Sequence, residues 1–262
     1  MADDEKRAKV RLGGMALENG VLVHGPSAWA CAVRTDDGKI KIASDRKRVS
    51  GHRINTPVLR GPARLADAFG VLFAVKRALP EAKLPFQNST VVASMAGTAL
   101  VVAGVRRTKL HDASKELLAS LLSVGPALMT LRGGSLASYH GAEHIAIGSY
   151  EQDAPHAKEH ERCGSHLIGP LVLTGAAANV IATRAPERYR PAAALAATIG
   201  GVGATMELFG WMQRHPTRRI SRALAWPGHE LQHRLSTAEP SRDQLEVAEA
   251  ALAACLELED TP

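Results

Sequence analysis

"AAALAATIGGVGATMELFGWMQ", residues 192–213, decides how this chain is read. It holds a single charge, Glu207. A helix needs about 20 predominantly apolar residues to cross the hydrocarbon of a bilayer, and this stretch has that length. Three earlier runs also lack Asp, Glu, Lys and Arg: 22 residues between Lys83 and Arg106, 15 between Glu116 and Arg132, and 21 between Arg162 and Arg184. All are rich in Ala and Gly rather than Leu and Ile. Composition therefore admits two readings, membrane helices or the buried helices of a soluble all-α protein. A carboxylate inside such a run needs a partner or a proton, because an unpaired charge there costs on the order of several kcal/mol. Glu207 is thus either a metal ligand or one half of an ion pair with an arginine such as Arg162.

The flanks of the runs are different in kind. "VLVHG" and "AWACAVRT" are strand-forming, and "TDDGK" is a turn signal before "IKIAS". The spacing predicts a small β meander, followed by a basic loop, "SDRKRVSGHR", residues 44–53. Residues 62–79 carry apolar side chains at helical spacing, with Leu65, Phe69, Leu72 and Val75 on one face, as an amphipathic and interfacial helix would. Near the C-terminus, Ser241 and Gln244 have capping-box spacing ahead of a stripe of Leu245, Ala248, Leu252 and Cys255. The expected architecture is mainly α: a multi-helix, membrane-type bundle of about four apolar helices with a small N-terminal β meander. Two parts are expected, a basic β segment over 1–60 and a helical bundle over 61–262 that ends in an amphipathic helix. The second run, near 117–131, is short enough to be re-entrant.

"YHGAEH", residues 139–144, carries the chemistry. His140, Glu143 and His144 have the order H-x-x-E-H of inverted zinc peptidases. On a helix, residues four apart share a face, so His140 and His144 can hold one ion, and neutral imidazole suits zinc. Glu143 stands on the neighbouring face, placed to take a proton from water as a general base. The competing reading is a polar helix end in water. The next loop adds His156, His160, Cys163 and His166. Arg162 favours a thiolate at Cys163, which makes Cys163 a candidate ligand; a small buried residue is the alternative. Either Cys163 or Glu207 supplies the third ligand.

The chain has 262 residues, a net charge of +6 and a pI near 9.4. That balance suits an anionic partner, a lipid headgroup surface or a nucleic acid. Aromatic residues make up 4% and do not alternate with the basic ones, so no stacking platform for single-stranded nucleic acid is present. Three scattered cysteines are too few for a disulfide framework. The first residues have no apolar core of a secretory signal.

"LGGMALENGVLVHGP", "PVLRGPARLADAF", "YHGAEH", "YE", "RCG" and "STAEPSRDQLEVAEAAL" occur in an order and spacing that resembles the YqhQ-like family of bacterial proteins. The resemblance covers about residues 11 to 257. Members are uncharacterised multi-pass membrane proteins labelled as predicted metal-dependent enzymes. The resemblance implies a place in the cell membrane. It also implies that His140, Glu143, His144, Tyr150, Glu151, Arg162, Cys163 and Glu207 occupy motif positions; Tyr139 and His160 lie in or beside the same blocks. The expectation is a metal-dependent membrane enzyme, most simply a hydrolase, that uses a divalent ion such as zinc. The lipid bilayer is its partner, nucleic acid is not, and the substrate is unknown. With four crossings, the positive-inside rule puts both termini and the H-x-x-E-H segment in the cytoplasm. Two other classes compete: a non-enzymatic membrane scaffold, which binds no metal, and a soluble basic protein that binds RNA or ribosomes.

Overall fold

The computed structural model describes residues 9–47, 53–87, 89–130 and 134–261. The expected meander is present as β1 (Gly13–Leu17), β2 (Gly20–His24), β3 (Ala28–Arg34) and β4 (Ile40–Arg46), an antiparallel sheet in the order β1-β2-β3-β4. The predicted turn closes β3 onto β4, with Thr35 N–H donating to Lys39 O at 2.9 Å and Gly38 at φ +82°. The basic run begins inside β4, and its residues 48–52 lie outside the described residues.

The sheet is covered on both faces, and β3 shows why. Its sequence alternates small with large, Ala28-Trp29-Ala30-Cys31-Ala32-Val33, and strand side chains alternate between faces. Trp29, Cys31 and Val33 pack with Leu17 and Leu22 against Val71, Leu72, Val75 and Leu79 of helix α1 (Arg60–Ala78) and the residue after it. The alanine face takes helices α5 (Gly134–Gln152) and α9 (Arg242–Asp260), whose Ala142, Ala146, Val247, Ala248 and Ala251 come close to it. The β segment thus shares one core with helices from the middle and the end of the chain. Glu259 fixes the far end of α9: its carboxylate accepts from Ser27 N–H at 2.8 Å, Ser27 Oγ at 2.8 Å and Ala28 N–H at 2.7 Å. The capping box at Ser241 and Gln244 is formed. The buried stripe of α9 is Val247, Ala248, Ala251 and Cys255, with Leu245 and Leu252 at its margins. On α1 the expected face is rotated: Leu72 and Val75 are buried, but Leu65 and Phe69 are exposed.

The apolar runs form the rest. They are helices α2 (Ser89–Arg106), α3 (Asp112–Ser123), α4 (Gly125–Thr130), α6 (Ile168–Thr183) and α7 (Arg190–Arg214), followed by α8 (Arg219–Leu231). Three segments are long and apolar enough to cross a membrane: 89–106, 164–183 and 187–214. A fourth exists only if 112–129 and 134–152, which meet at a 94° bend, count as one span. Because α5 packs on the sheet and α9, it forms with them and α1 a head distinct from the apolar bundle, and the second run turns away as α3 and α4. Only 6% of the 89–106 window and 17% of the window in 187–214 are buried within the protein. Their apolar surface therefore faces outward, as a lipid-covered bundle requires. Between α6 and α7, Gly175 and Gly201 approach closely. Thr174 Oγ1 and Thr205 Oγ1 lie 2.6 Å apart there, and both are within hydrogen-bond distance of Gly201 O. Small residues with a hydroxyl pair are the usual glue between membrane helices. Arg106 and Glu116 join α2 to α3 through two hydrogen bonds at 3.0 and 2.8 Å.

Candidate metal centre

Helix α5 does place His140 and His144 on one face, with ring centroids 4.3 Å apart. Each ring is oriented by a backbone carbonyl. His140 Nδ1 donates to Ser236 O at 2.8 Å, and His144 Nδ1 donates to Lys158 O at 2.6 Å. A carbonyl only accepts, so the proton sits on Nδ1 in both rings and each Nε2 presents its lone pair. Such outer bonds are the usual support of metal-binding histidines. Cys163 completes the group: its Sγ is 3.4 Å from His140 Nε2, and the ligand atoms of His140, His144 and Cys163 all lie within 4.8 Å of one another. Two ligands of one tetrahedral zinc ion, at ordinary bond lengths, stand roughly 3.6 Å apart for nitrogen and sulfur. The group therefore fits a divalent ion in spacing, in chemistry and in tautomer. Burial lowers the His144 pKa to about 2 and raises that of the Cys163 thiol above its ordinary value.

Glu143 lies beside the group, 6% exposed, and among the described residues its carboxylate has no hydrogen-bond donor. Burial pushes its pKa up to about 7, against the field of His140. Room for it is made by Gly14 of β1, where a Cβ would stand 2.4 Å from Glu143 Oε1. Glycine in a strand interior marks such a close approach. His24 of β2 stands next to Gly13. Its Nδ1 is 3.1 Å from Lys47 Nζ, and Lys47 is itself paired to Asp67. Burial, and then Lys47, lower the His24 pKa to about 4. The ring is neutral, with Nδ1 facing the Lys47 ammonium. His140, His144, Cys163, Glu143, Gly13, Gly14 and His24 line one cavity of about 560 Å³. One wall is the polar cluster. The other is Phe69, Val91, Ala127 and Leu136, drawn from α1, α2, α4 and α5, so the cavity sits where the head meets the apolar bundle.

The loop that carries Cys163 is held from behind. Arg162 and His160 both engage Glu151, the latter at 3.3 Å. Gln232, fully buried, accepts from His160 N–H at 2.8 Å and donates to His160 O at 3.2 Å and Ser165 Oγ at 2.8 Å. Gln232 opens a π-helical turn, Gln232–Ser236, whose last carbonyl is the one that orients His140. Single π turns recur at functional sites because they re-aim backbone groups.

Glu207 is a correction. It is not part of the metal group; Arg60 at the start of α1 grips both carboxylate oxygens, with Nε donating to Oε1 at 2.6 Å, and Val58 N–H donates at 3.3 Å. The charge in the apolar run is therefore met by an ion pair, with Arg60 rather than Arg162. Tyr139 is buried against the sheet and α9, and Tyr150 accepts from Val10 N–H at 3.3 Å; both anchor the head outside the cavity. His156 and His166 line a second cavity, together with His160. Sequence reasoning missed Gly14, His24, Gln232 and the two carbonyls. The Gly13–Gly14 pair in a strand was a readable signal; backbone carbonyls carry none.

Comparison with known proteins adds one match of a family model to part of the chain. No curated protein and no solved structure matches the chain. Residues 135–258 match a family model described as "Protein of unknown function (DUF1385)", a stretch that runs from α5 to α9 and takes in His140, Glu143, His144, Cys163 and Gln232 but not the sheet.

Proposed function

We propose that the protein is a metal-dependent hydrolase at the membrane boundary. Zinc is the fitting ion, held by His140, His144 and Cys163, with Glu143 as general base. The observation that carries this reading is the convergence of two carbonyl-oriented imidazoles and a thiol, with an undonated carboxylate in the same cavity. Three protein donors are the number found in catalytic zinc sites, which keep a position open, whereas structural sites close with four. When bound, the ion supplies Lewis acidity for a carbonyl and makes water more acidic. Glu143 accepts the proton that water gives up and returns it to the leaving group. Gly14 and the Gln232 network hold Glu143 and Cys163 in place, and the apolar wall excludes bulk water from the reaction.

The bundle supports a multi-pass place in the cell membrane. Gln213 Nε2 near the end of α7 donates to Glu161 O at 3.0 Å, so that end lies beside the metal cluster. Arg214, Arg218, Arg219 and Arg222 follow it. With α3 and α4 taken as the return crossing between α2 and α5, the crossings number four, the head, both termini and these arginines share one side, and the positive-inside rule assigns that side to the cytoplasm. The YqhQ-like resemblance points the same way. The test is zinc stoichiometry of the detergent-purified chain and of Glu143→Gln. One ion per chain in both is expected, because Glu143 is a base and not a ligand. Loss of zinc in Glu143→Gln would make Glu143 a ligand and overturn its role.

A further inference from the structure

The metal cavity runs along the open edge of the sheet. Five consecutive residues, Leu12 to Ala16, line it. Successive strand side chains point to opposite faces, so five in a row can border one cavity only if the cavity follows the backbone edge. β1 is an edge strand, paired on one side with β2. The register Leu17↔Gly20, Met15↔Leu22 and Gly13↔His24 follows a two-residue turn, so these pairs exchange the hydrogen bonds of the ladder. Gly14 and Ala16 then point their N–H and C=O groups outward. Among the described residues nothing pairs with those groups. Gly13 and Gly14 bring no side chain that would cover the edge, and Glu143 lies against Gly14.

We infer that the substrate is a polypeptide segment bound in extended form, added as a further strand on β1. The inference rests on the metal-hydrolase reading and names its substrate class. An exposed edge supplies main-chain hydrogen bonds to any extended peptide, and the flanking walls select alternate side chains. Here the walls include Phe69, Val91 and Leu136, so apolar side chains are preferred. A transmembrane helix is about 10–12 Å across, and a cavity of about 560 Å³ would hold little more than one turn of it; an unwound strand fits. In the reaction, the oxygen of water bonds to the peptide carbonyl carbon and one water proton passes to Glu143. The C–N bond breaks and the amine leaves with that proton, giving a carboxylic acid and an amine.

The test is binding of three hydroxamates to the zinc-loaded, detergent-purified full chain, by calorimetry: a tri-leucine hydroxamate, the same compound with its backbone amides N-methylated, and dodecanoyl hydroxamate. The peptide should bind on the order of tenfold or more tighter than its N-methylated form, the effect of about two hydrogen bonds. Ala16→Pro removes an outward N–H, and proline is tolerated at such edge positions. It should keep its zinc and narrow that ratio. Equal affinity for both peptides, with zinc bound, would overturn the inference and leave the metal centre standing. So would tighter binding of the dodecanoyl compound, which would make the substrate an acyl lipid. No bound zinc would overturn both readings.

Discussion

Replacing Gln232 with leucine tests how the fold sets the proposed metal site. The side chain is fully buried and makes three hydrogen bonds to two residues that bracket Cys163, namely His160 and Ser165. Leucine keeps most of the volume but none of the bonds. The Ser165 hydroxyl can rotate toward another partner, and the His160 C=O still accepts from Cys163 N–H at 3.2 Å; the His160 N–H is left without one. A buried group left without a partner costs about 1–3 kcal/mol, so Gln232→Leu should destabilise by about 1–3 kcal/mol before relaxation. The strain falls on the loop that presents Cys163. Loss of an outer-shell support typically weakens a metal site about 10–100-fold, and that is the loss expected here. The assay is competition for zinc with a chromophoric chelator on the purified variant, alongside a thermal melt. The melting temperature should fall by several degrees, since about 1 kcal/mol moves it by roughly 2–4 °C in proteins near this size. Unchanged zinc affinity would refute the claim that Gln232 positions the ligand loop, whatever the melt shows.

Gly14→Ala places a methyl group 2.4 Å from Glu143 Oε1, an overlap that should cost about 1–3 kcal/mol. In a Glu143→Ala background the same change should cost almost nothing; additive effects in the double-mutant cycle would show that the two do not touch. Glu207→Gln should leave zinc content as in wild type while hydrogen exchange speeds up over residues 54–64, because Glu207 holds Arg60 and Val58; lost zinc would restore Glu207 as a ligand. Finally, the protein should stay with membranes through high-salt and alkaline washes, and release into the supernatant would contradict the lipid-facing bundle.

What the sequence revealed was whatever rests on neighbours along the chain. The Ser241–Gln244 box, the turn at Gly38, the alternating strands and the length of the apolar runs are local, and each reappears in the fold. The face of α1 was misread because Leu65 and Phe69 have helical spacing with Leu72, yet Leu72 and Val75 meet the sheet while Phe69 borders the cavity. Periodicity finds a stripe but not which edge of it is covered. The partner of Glu207 lies 147 residues away, at Arg60, and no spacing rule selects among distant arginines. Within the site, His140 and His144 were legible from their helical offset and Cys163 from its chemistry. The carbonyls of Ser236 and Lys158 that set their tautomers are backbone atoms of a π turn and a loop, and residue type does not encode them.

The most direct test of the central claim is elemental analysis of zinc in the purified wild-type chain and in His140→Ala, His144→Ala and Cys163→Ala, prepared in parallel. The account predicts one zinc per wild-type chain and a sharp loss in all three variants, since each removes one of three donors that lie within 4.8 Å of one another. Equal zinc in all four proteins, or none in any, would contradict it.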